Sequence, residues 1–288
     1  MLRCPDCGSR VEEGGGSELT CSAACGWQSS DGRDLRCVAP LPRWIEHDRR
    51  SGISPEDVLR ELITKGPTLI YKGPSAQRDS TELMSVLQER LDRGAKVLDL
   101  GCGPRDQAAP VQYLGLNYLG VDVDGAAADL LVDAHALPFA DRSLDAVLSY
   151  AVLEHLRDPF VALSEISRVL KPGGIYLGTV SQGEPFHASY FHHTAWGVLA
   201  LVNQSPQLMV ERLWPAIDTL RSLARMGRYP RVVRKLLYLL DALHVAFPWL
   251  APRKQRWSDK ERQVDALHRA GSIGFVIRKK TWTNPENP

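Results

Sequence analysis

The chain has 288 residues, of which 44% are hydrophobic and 24% are charged; these ordinary values exclude a disordered or collagen-like chain. The formal net charge is +1, so overall charge does not favour a nucleic-acid partner. No apolar run reaches the roughly 18 residues of a spanning helix, and the N-terminus lacks the apolar segment of a signal peptide. We therefore expect a cytoplasmic protein whose six cysteines are reduced.

Four of these cysteines lie near the N-terminus in two closely spaced pairs, Cys4 with Cys7 and Cys21 with Cys25. Two short cysteine knuckles supply the four thiolates of a tetrahedral structural zinc site. This pattern predicts a zinc ribbon in residues 1–40 that binds Zn²⁺. The alternative is two disulfides or four free thiols, and the expected compartment disfavours disulfides. We interpret Cys37 as a plain buried thiol.

Residues 41–93 form a predicted helical connector with two helices, Ser54–Thr64 and Ser80–Asp92. Ser54 and Pro55 suit the N-cap and the first helical position of the first helix. Leu83, Val86, Leu87 and Leu91 share one face of the second. Both helices are expected to pack against the domain that follows.

Residues 94–288 begin with an alternation of strands and helices that predicts an α/β domain with a mainly parallel sheet. The first strand, Val97–Leu100, runs into Gly101-Cys102-Gly103, and the second ends at Asp122, 21 positions after Gly101. The ligand of such a sheet is expected at the carboxyl ends of the strands. The remaining strands are expected at 129–132, 143–150, 175–180, 208–214 and, antiparallel, at 272–279.

Five successive motifs in this domain resemble those of class I S-adenosylmethionine-dependent methyltransferases. The motifs are Val97–Gly103, Gly120–Asp122, Asp133–Phe139, Val152–His155 and Leu170–Gly174. The resemblance implies a Rossmann-like, seven-stranded methyltransferase sheet that binds S-adenosyl-L-methionine. It implies contacts from Asp99, Gly101 and Gly103 at the methionine end, Asp122 with Val123 at the ribose, Asp133 and Ala134 at the adenine, and Tyr150 at the sulfonium.

Two features depart from the family's commonest pattern. Asp106 stands where a third glycine is usual, and a carboxylate there, with Pro110 in the next helix, also disfavours a dinucleotide dehydrogenase. Arg105 would then either pair with the cofactor carboxylate or serve as an exposed structural residue. The connection from Asp122 to Asp129 is too short for the usual helix.

Three histidines follow the fifth strand, and they are the candidates for a catalytic base if the acceptor must lose a proton. They are His187, His192 and His193, with His193 preferred because it adjoins a helix whose N-cap is Thr194. The alternative is a solvated loop. His155, in the fourth-strand motif, is expected to serve in packing and hydrogen bonding.

A long, basic, helical insertion is predicted at about 219–262, between the sixth and seventh strands. It has eleven Lys or Arg and three acids, 11 − 3 = +8, so the rest of the chain carries 1 − 8 = −7. The favoured interpretation is a lid over the acceptor site. The alternatives are a membrane-surface segment at 231–257, peripheral to a bilayer, and a dimer interface or an anionic-substrate clamp.

The preferred function is methylation of a small-molecule or glycan acceptor at oxygen or nitrogen. RNA or protein methylation that uses the ribbon for recognition is an alternative, but the ribbon is mildly acidic and a phosphate-binding module is usually basic. A cofactor-binding scaffold without turnover is the non-enzymatic alternative.

Overall fold

The structure is a computed structural model that describes residues 2–13, 17–23, 25–36, 68–69, 78–183, 189–246 and 259–281. The helix predicted at Ser54–Thr64, Cys37 and His187 lie outside the described residues. The division into a ribbon, a connector and a methyltransferase domain stays a prediction.

The described strands form two sheets. In chain order the strands are β1 (Val11–Glu13), β2 (Leu19–Cys21), β3 (Gln28–Ser29), β4 (Thr68–Leu69), β5 (Lys96–Leu100), β6 (Asn117–Asp122), β7 (Leu130–Leu131), β8 (Leu144–Tyr150), β9 (Leu170–Ser181), β10 (Leu208–Asp218) and β11 (Ala270–Lys279). Strands β1, β2 and β3 make a small antiparallel sheet. The others form one eight-stranded sheet in the order β4-β10-β11-β9-β8-β5-β6-β7. The predicted α/β fold with a Rossmann-like methyltransferase sheet is confirmed, with β4 as an added edge strand.

The direction of the strands defines the functional edge of the large sheet. Neighbours from β7 to β9 are parallel, and β11 is antiparallel to both β9 and β10, as predicted for the closing strand. Strand β10 therefore runs in the same direction as β9. The carboxyl ends of β5, β6, β7, β8, β9 and β10 consequently lie at one edge.

The described helices cover both faces of this sheet or follow β10. They are α1 (Arg78–Arg90), α2 (Ala108–Tyr113), α3 (Pro159–Val169), α4 (Ala195–Asn203), α5 (Thr219–Met226), α6 (Arg231–Ala246) and α7 (Asp259–His268), with a 3₁₀ turn at Leu153–His155. Alternation along the strands divides the core, because Leu98 and Val147 pack on the face of α3 and α4 while Val97 and Ala146 pack on the face of α1. The Thr194 hydroxyl accepts a hydrogen bond from the Gly197 amide at 3.0 Å, which confirms the predicted N-cap of α4.

The N-terminal small sheet packs against the β7 edge of the large sheet. Trp27 and Leu35 are buried in the same apolar cluster as Val132 and Phe139. The Leu35 amide donates to the Leu131 carbonyl at 2.7 Å, and the Leu131 amide donates to the Arg33 carbonyl at 2.7 Å. These bonds pair the backbone groups that a bare edge strand would leave open.

Candidate functional site

A cavity of about 510 Å³ opens at the carboxyl ends of β5, β6 and β8, where a parallel sheet is expected to bind its ligand. Its volume is typical of a small-molecule site. The lining residues are Leu100, Gly101, Asp122, Val123, Val132, Asp133, Ala134, His135, Tyr150, Ala151, Val152, His155, Leu156, Arg157 and Tyr190. Six of the eight residues expected at the cofactor thus share one cavity, namely Gly101, Asp122, Val123, Asp133, Ala134 and Tyr150.

The loop after β5 requires glycine at its first position. Gly101 has φ +70°, and a Cβ there would lie 2.5 Å from Cγ2 of Val152. Its amide donates to the Val121 carbonyl at 2.8 Å, which holds the loop against β6. Glycine is therefore required here so that the loop can pack against Val152, which also lines the cavity.

Asp122 closes this loop onto the end of β6. Its two carboxylate oxygens accept hydrogen bonds from the Gly103 amide at 2.9 Å and from the Val123 amide at 2.8 Å. A carboxylate has about four acceptor positions, so two remain for a diol. Gly103 thus contributes to the site through Asp122, although it is not a lining residue.

Asp99 lies beneath the cavity and does not line it. It is only 2% exposed, and the Tyr118 hydroxyl donates to its Oδ2 at 2.6 Å. Burial raises the pKa of Asp99 to about 6, in spite of the opposing hydrogen bond from Tyr118. Sequence reasoning missed Tyr118, since nothing local pairs residues that are 19 positions apart.

Arg105 forms an ion pair within the protein. Its guanidinium is 2.8 Å from the Asp129 carboxylate and lies 5.3 Å from the centre of the Tyr118 ring. The Asp129 carboxylate also accepts from the Gly120 amide at 2.8 Å. The pair therefore joins the loop after β5 to the short connection between β6 and β7.

Asp133 is paired with His135, which belongs to the same motif. Asp133 Oδ1 accepts from the His135 amide at 2.9 Å and lies 2.6 Å from His135 Nδ1. On the other side of the ring, Nε2 accepts from the Asp158 amide at 3.2 Å, which assigns the proton to Nδ1. Burial acts to raise the pKa of Asp133, but the His135 donors outweigh it and hold that pKa below its usual value. The Asp-x-His spacing in the sequence is the signal that could have predicted this pair.

The predicted catalytic histidines lie apart from the lining. His193 is half-buried, its amide donates to the Ser181 carbonyl at 2.9 Å, and burial lowers its pKa. His192 is exposed, and neither residue lines the cavity. Tyr190 and His155 do line it, and the Glu154 carbonyl accepts from the Tyr190 amide at 2.9 Å. His155 is exposed rather than buried in packing.

The four N-terminal cysteines form a second candidate site. The sulfur atoms of Cys4, Cys7, Cys21 and Cys25 all lie within 4.8 Å of one another. Sγ of Cys4 is 3.6 Å from that of Cys25, and Sγ of Cys7 is 3.3 Å from that of Cys21. Tetrahedral zinc with Zn–S bonds of about 2.3 Å places its sulfurs about 3.8 Å apart, so the donor set fits zinc.

The segment that leaves the ribbon contacts a residue that lines the cavity. The Arg36 guanidinium donates to the Val123 carbonyl at 3.2 Å and is held by Asp34, to which Arg36 Nη2 donates at 2.6 Å. Val123 follows Asp122, so this contact supports the loop that positions the carboxylate.

Comparison with known proteins identifies the family. A family model described as a methyltransferase domain matches residues 98–178. The demethylmenaquinone methyltransferase of Renibacterium salmoninarum is 32% identical over 181 residues, which are 54% of this chain and 75% of that protein. The chain belongs to the class I S-adenosylmethionine-dependent methyltransferases. This chain is also 37% identical over 105 residues to an uncharacterized methyltransferase of Mycobacterium sp. strain KMS. The match covers 33% of this chain and 42% of the mycobacterial protein.

This family member also has similar solved structures. One is phosphoethanolamine N-methyltransferase 2 of Haemonchus contortus, with 16% identity and a TM-score of 0.44 over 80% of this chain and 61% of the other. The chain spans about two fifths of the length of the mycobacterial relatives that it matches, 42% in each case. Among the described residues, no helix is long and apolar enough to cross a bilayer.

Proposed function

We propose that this family member transfers the methyl group of S-adenosylmethionine to a small-molecule or glycan acceptor. The observation that supports this most strongly is the cavity that brings Gly101, Asp122 and Asp133 together at the carboxyl edge of the sheet. The same edge carries the fourth-strand residue Tyr150. S-adenosylmethionine, when bound, supplies an activated methyl group on a sulfonium.

The cavity residues have distinct parts in holding the cofactor. Asp122, already oriented by the amides of Gly103 and Val123, accepts from two ribose hydroxyls. Asp133, kept ionised by His135, accepts from the adenine amino group. Ala134 and Tyr150 line the cavity beside the adenine and the sulfonium, respectively. Asp99 lies in β5, two residues before Gly101, and is proposed to support the loop that follows this strand.

The acceptor is proposed to be small because one relative, matched over 75% of its own length, is named for demethylmenaquinone. Tyr190 and His155 also line the cavity and can contact an acceptor placed beside the sulfonium. Methyl transfer itself requires mainly proximity and alignment. An acceptor hydroxyl additionally needs a base, and His193 is the preferred candidate, with His192 and His187 as weaker ones. Burial lowers the pKa of His193 and so favours its neutral form, but His193 does not line the cavity, so it would serve only an acceptor that extends beyond the lining.

Zinc is proposed as a structural ion in the ribbon. Cys4, Cys7, Cys21 and Cys25 would hold it as thiolates in a closed site. The ribbon strands have two or three residues each, too few to form a core, so the metal would provide the cross-link that keeps them folded.

Isothermal titration calorimetry with S-adenosylmethionine and with S-adenosylhomocysteine tests the proposal. Asp122→Ala removes two charge-assisted hydrogen bonds to the ribose, so binding should weaken by roughly 2–4 kcal/mol, about 30- to 700-fold. Asp106→Ala, at an exposed carboxylate of the neighbouring loop, is the matched control and should bind like the wild type.

Two results would contradict the proposed function. Absence of binding to folded, zinc-loaded protein would remove the cofactor assignment, and equal affinity of the Asp122 variant would remove the role of that carboxylate. Binding without methyl transfer to any of a panel of phenols, amines, glycans and tRNA would instead favour the scaffold alternative. Transfer to tRNA alone would favour the RNA alternative.

A further inference from the structure

Helix α6 turns a charged residue toward the protein and its aliphatic residues toward solvent. Among the side chains described between Arg231 and Leu243, Asp241 alone is buried, at 1% exposure. Its carboxylate forms an ion pair with Arg221 of α5, the helix on which α6 packs. An amphipathic helix of a globular protein normally has the opposite arrangement.

The outward face of α6 is a continuous aliphatic stripe, which we define as Val232, Leu236, Leu239 and Leu243. These side chains are 78%, 52%, 54% and 38% exposed, in that order. Their spacing of four, three and four residues, at about 100° per residue, places them within an arc of about 60°. The centre of that arc is about 170° from Asp241. The stripe therefore points directly away from the body of the protein.

Exposed cations lie just before α6 and in its N-terminal part. They are Arg225, Arg228, Arg231, Arg234 and Lys235. Residues 219–240 contain no Asp or Glu, and the next acid, Asp241, is buried in its ion pair with Arg221. The surface thus combines an aliphatic stripe with an unneutralised group of cations.

We propose that α6 docks the chain onto an anionic lipid bilayer, lying in the plane of the interface with the aliphatic stripe among the acyl chains. The cations complement acidic headgroups, an arrangement typical of interfacial helices. The helix has 16 residues and does not span the bilayer. A second copy of the chain fits this surface less well, because it would bring five more cations and no acid from its own residues 219–240.

The topology places this surface near the candidate site. Helix α5 begins at Thr219, directly after β10, whose carboxyl end lies at the same edge of the sheet as the cavity. Docking through α6 would therefore bring that edge toward the membrane. Among the residues that the structure describes, none that lines the cavity comes from α5 or α6, so the described part of the surface is separate from the site itself.

Co-sedimentation with vesicles tests the proposal on the full chain. We expect the wild type to pellet with vesicles of phosphatidylcholine and phosphatidylglycerol at least about tenfold more strongly than with vesicles of phosphatidylcholine alone. Salt at roughly 0.5 M, which screens the attraction between the cations and the headgroups, should release it. Leu239→Glu should lower the binding at least about tenfold, since it removes an inserting side chain and adds a charge.

Tyr113→Glu is the matched control, because Tyr113 is 90% exposed on α2, outside the proposed surface. It should pellet like the wild type. Arg231→Gln with Lys235→Gln keeps the aliphatic stripe and should reduce binding to the anionic vesicles only. Equal pelleting of wild type and Leu239→Glu would overturn the proposal, as would no pelleting of the wild type. Self-association of the wild type that Leu239→Glu abolishes, without vesicle binding, would assign the surface to a second copy instead.

Discussion

The buried carboxylate of Asp99 predicts an unusual pH dependence of stability. Its pKa is raised to about 6 from an ordinary value of 3.8, chiefly by burial and in part by the nearby charge of Asp122. The native state therefore holds this proton at pH values at which the unfolded chain has released it. The contribution of Asp99 to stability is complete below about pH 4 and is lost as the pH rises through about 6.

The size of the effect follows from these two values. They differ by about two, and one pKa unit corresponds to about 1.4 kcal/mol, so ionisation of Asp99 costs the native state about 3 kcal/mol. Asp99→Asn keeps the size of the side chain and an oxygen that accepts from Tyr118, but it cannot ionise. The difference in unfolding free energy, variant minus wild type, should rise by about 3 kcal/mol between pH 3.5 and pH 7.

Urea unfolding monitored by circular dichroism across that range measures the difference. Asp92→Asn removes an exposed carboxylate and is the matched control, for which the difference should stay nearly flat. The reasoning would be refuted if the Asp99→Asn difference were independent of pH. It would also be refuted if the difference fell as the pH rises, because a falling difference is expected when the native state lowers the pKa of the carboxylate and keeps it ionised.

Three further predictions concern the supports of the cavity. Arg36→Ala removes the bond to the Val123 carbonyl and should weaken cofactor binding about tenfold by calorimetry; an unchanged affinity would show that the ribbon does not position the Asp122 loop. Arg168→Ala leaves Glu165, which is 2% exposed, without its cation, so urea unfolding should show a loss of about 3–5 kcal/mol, whereas a loss below about 1 kcal/mol would contradict the network. Removal of zinc by a chelator should expose Trp27, seen as a red shift of tryptophan fluorescence, and should weaken cofactor binding; no change in either would argue against a structural metal.

Local sequence patterns determined most of the fold. The seven strands predicted from apolar runs all occur, because the central strands of a parallel sheet are buried on both faces and must be apolar. The N-cap at Thr194 could also be predicted from the sequence, because a cap is a hydrogen bond between residues within four positions of each other. The spacing of the cysteines likewise indicated the cluster that the structure brings together.

Only the tertiary structure decided which of these elements meet. It paired Arg105 with Asp129, and it placed His155 and Tyr190, rather than His192 and His193, at the cavity. The contact of Arg36 with the Val123 carbonyl joins residues 87 positions apart.

The helix α6 shows the physical reason for this division. The sequence predicts a basic helical insertion in this region, and an amphipathic helix of a globular protein normally turns its aliphatic side to the interior. Burial of Asp241 against Arg221 gives α6 the opposite orientation, which depends on how α5 and α6 pack after the chain has turned. Local propensities act over a few residues, whereas the direction in which a face points is set by contacts between elements distant in the chain.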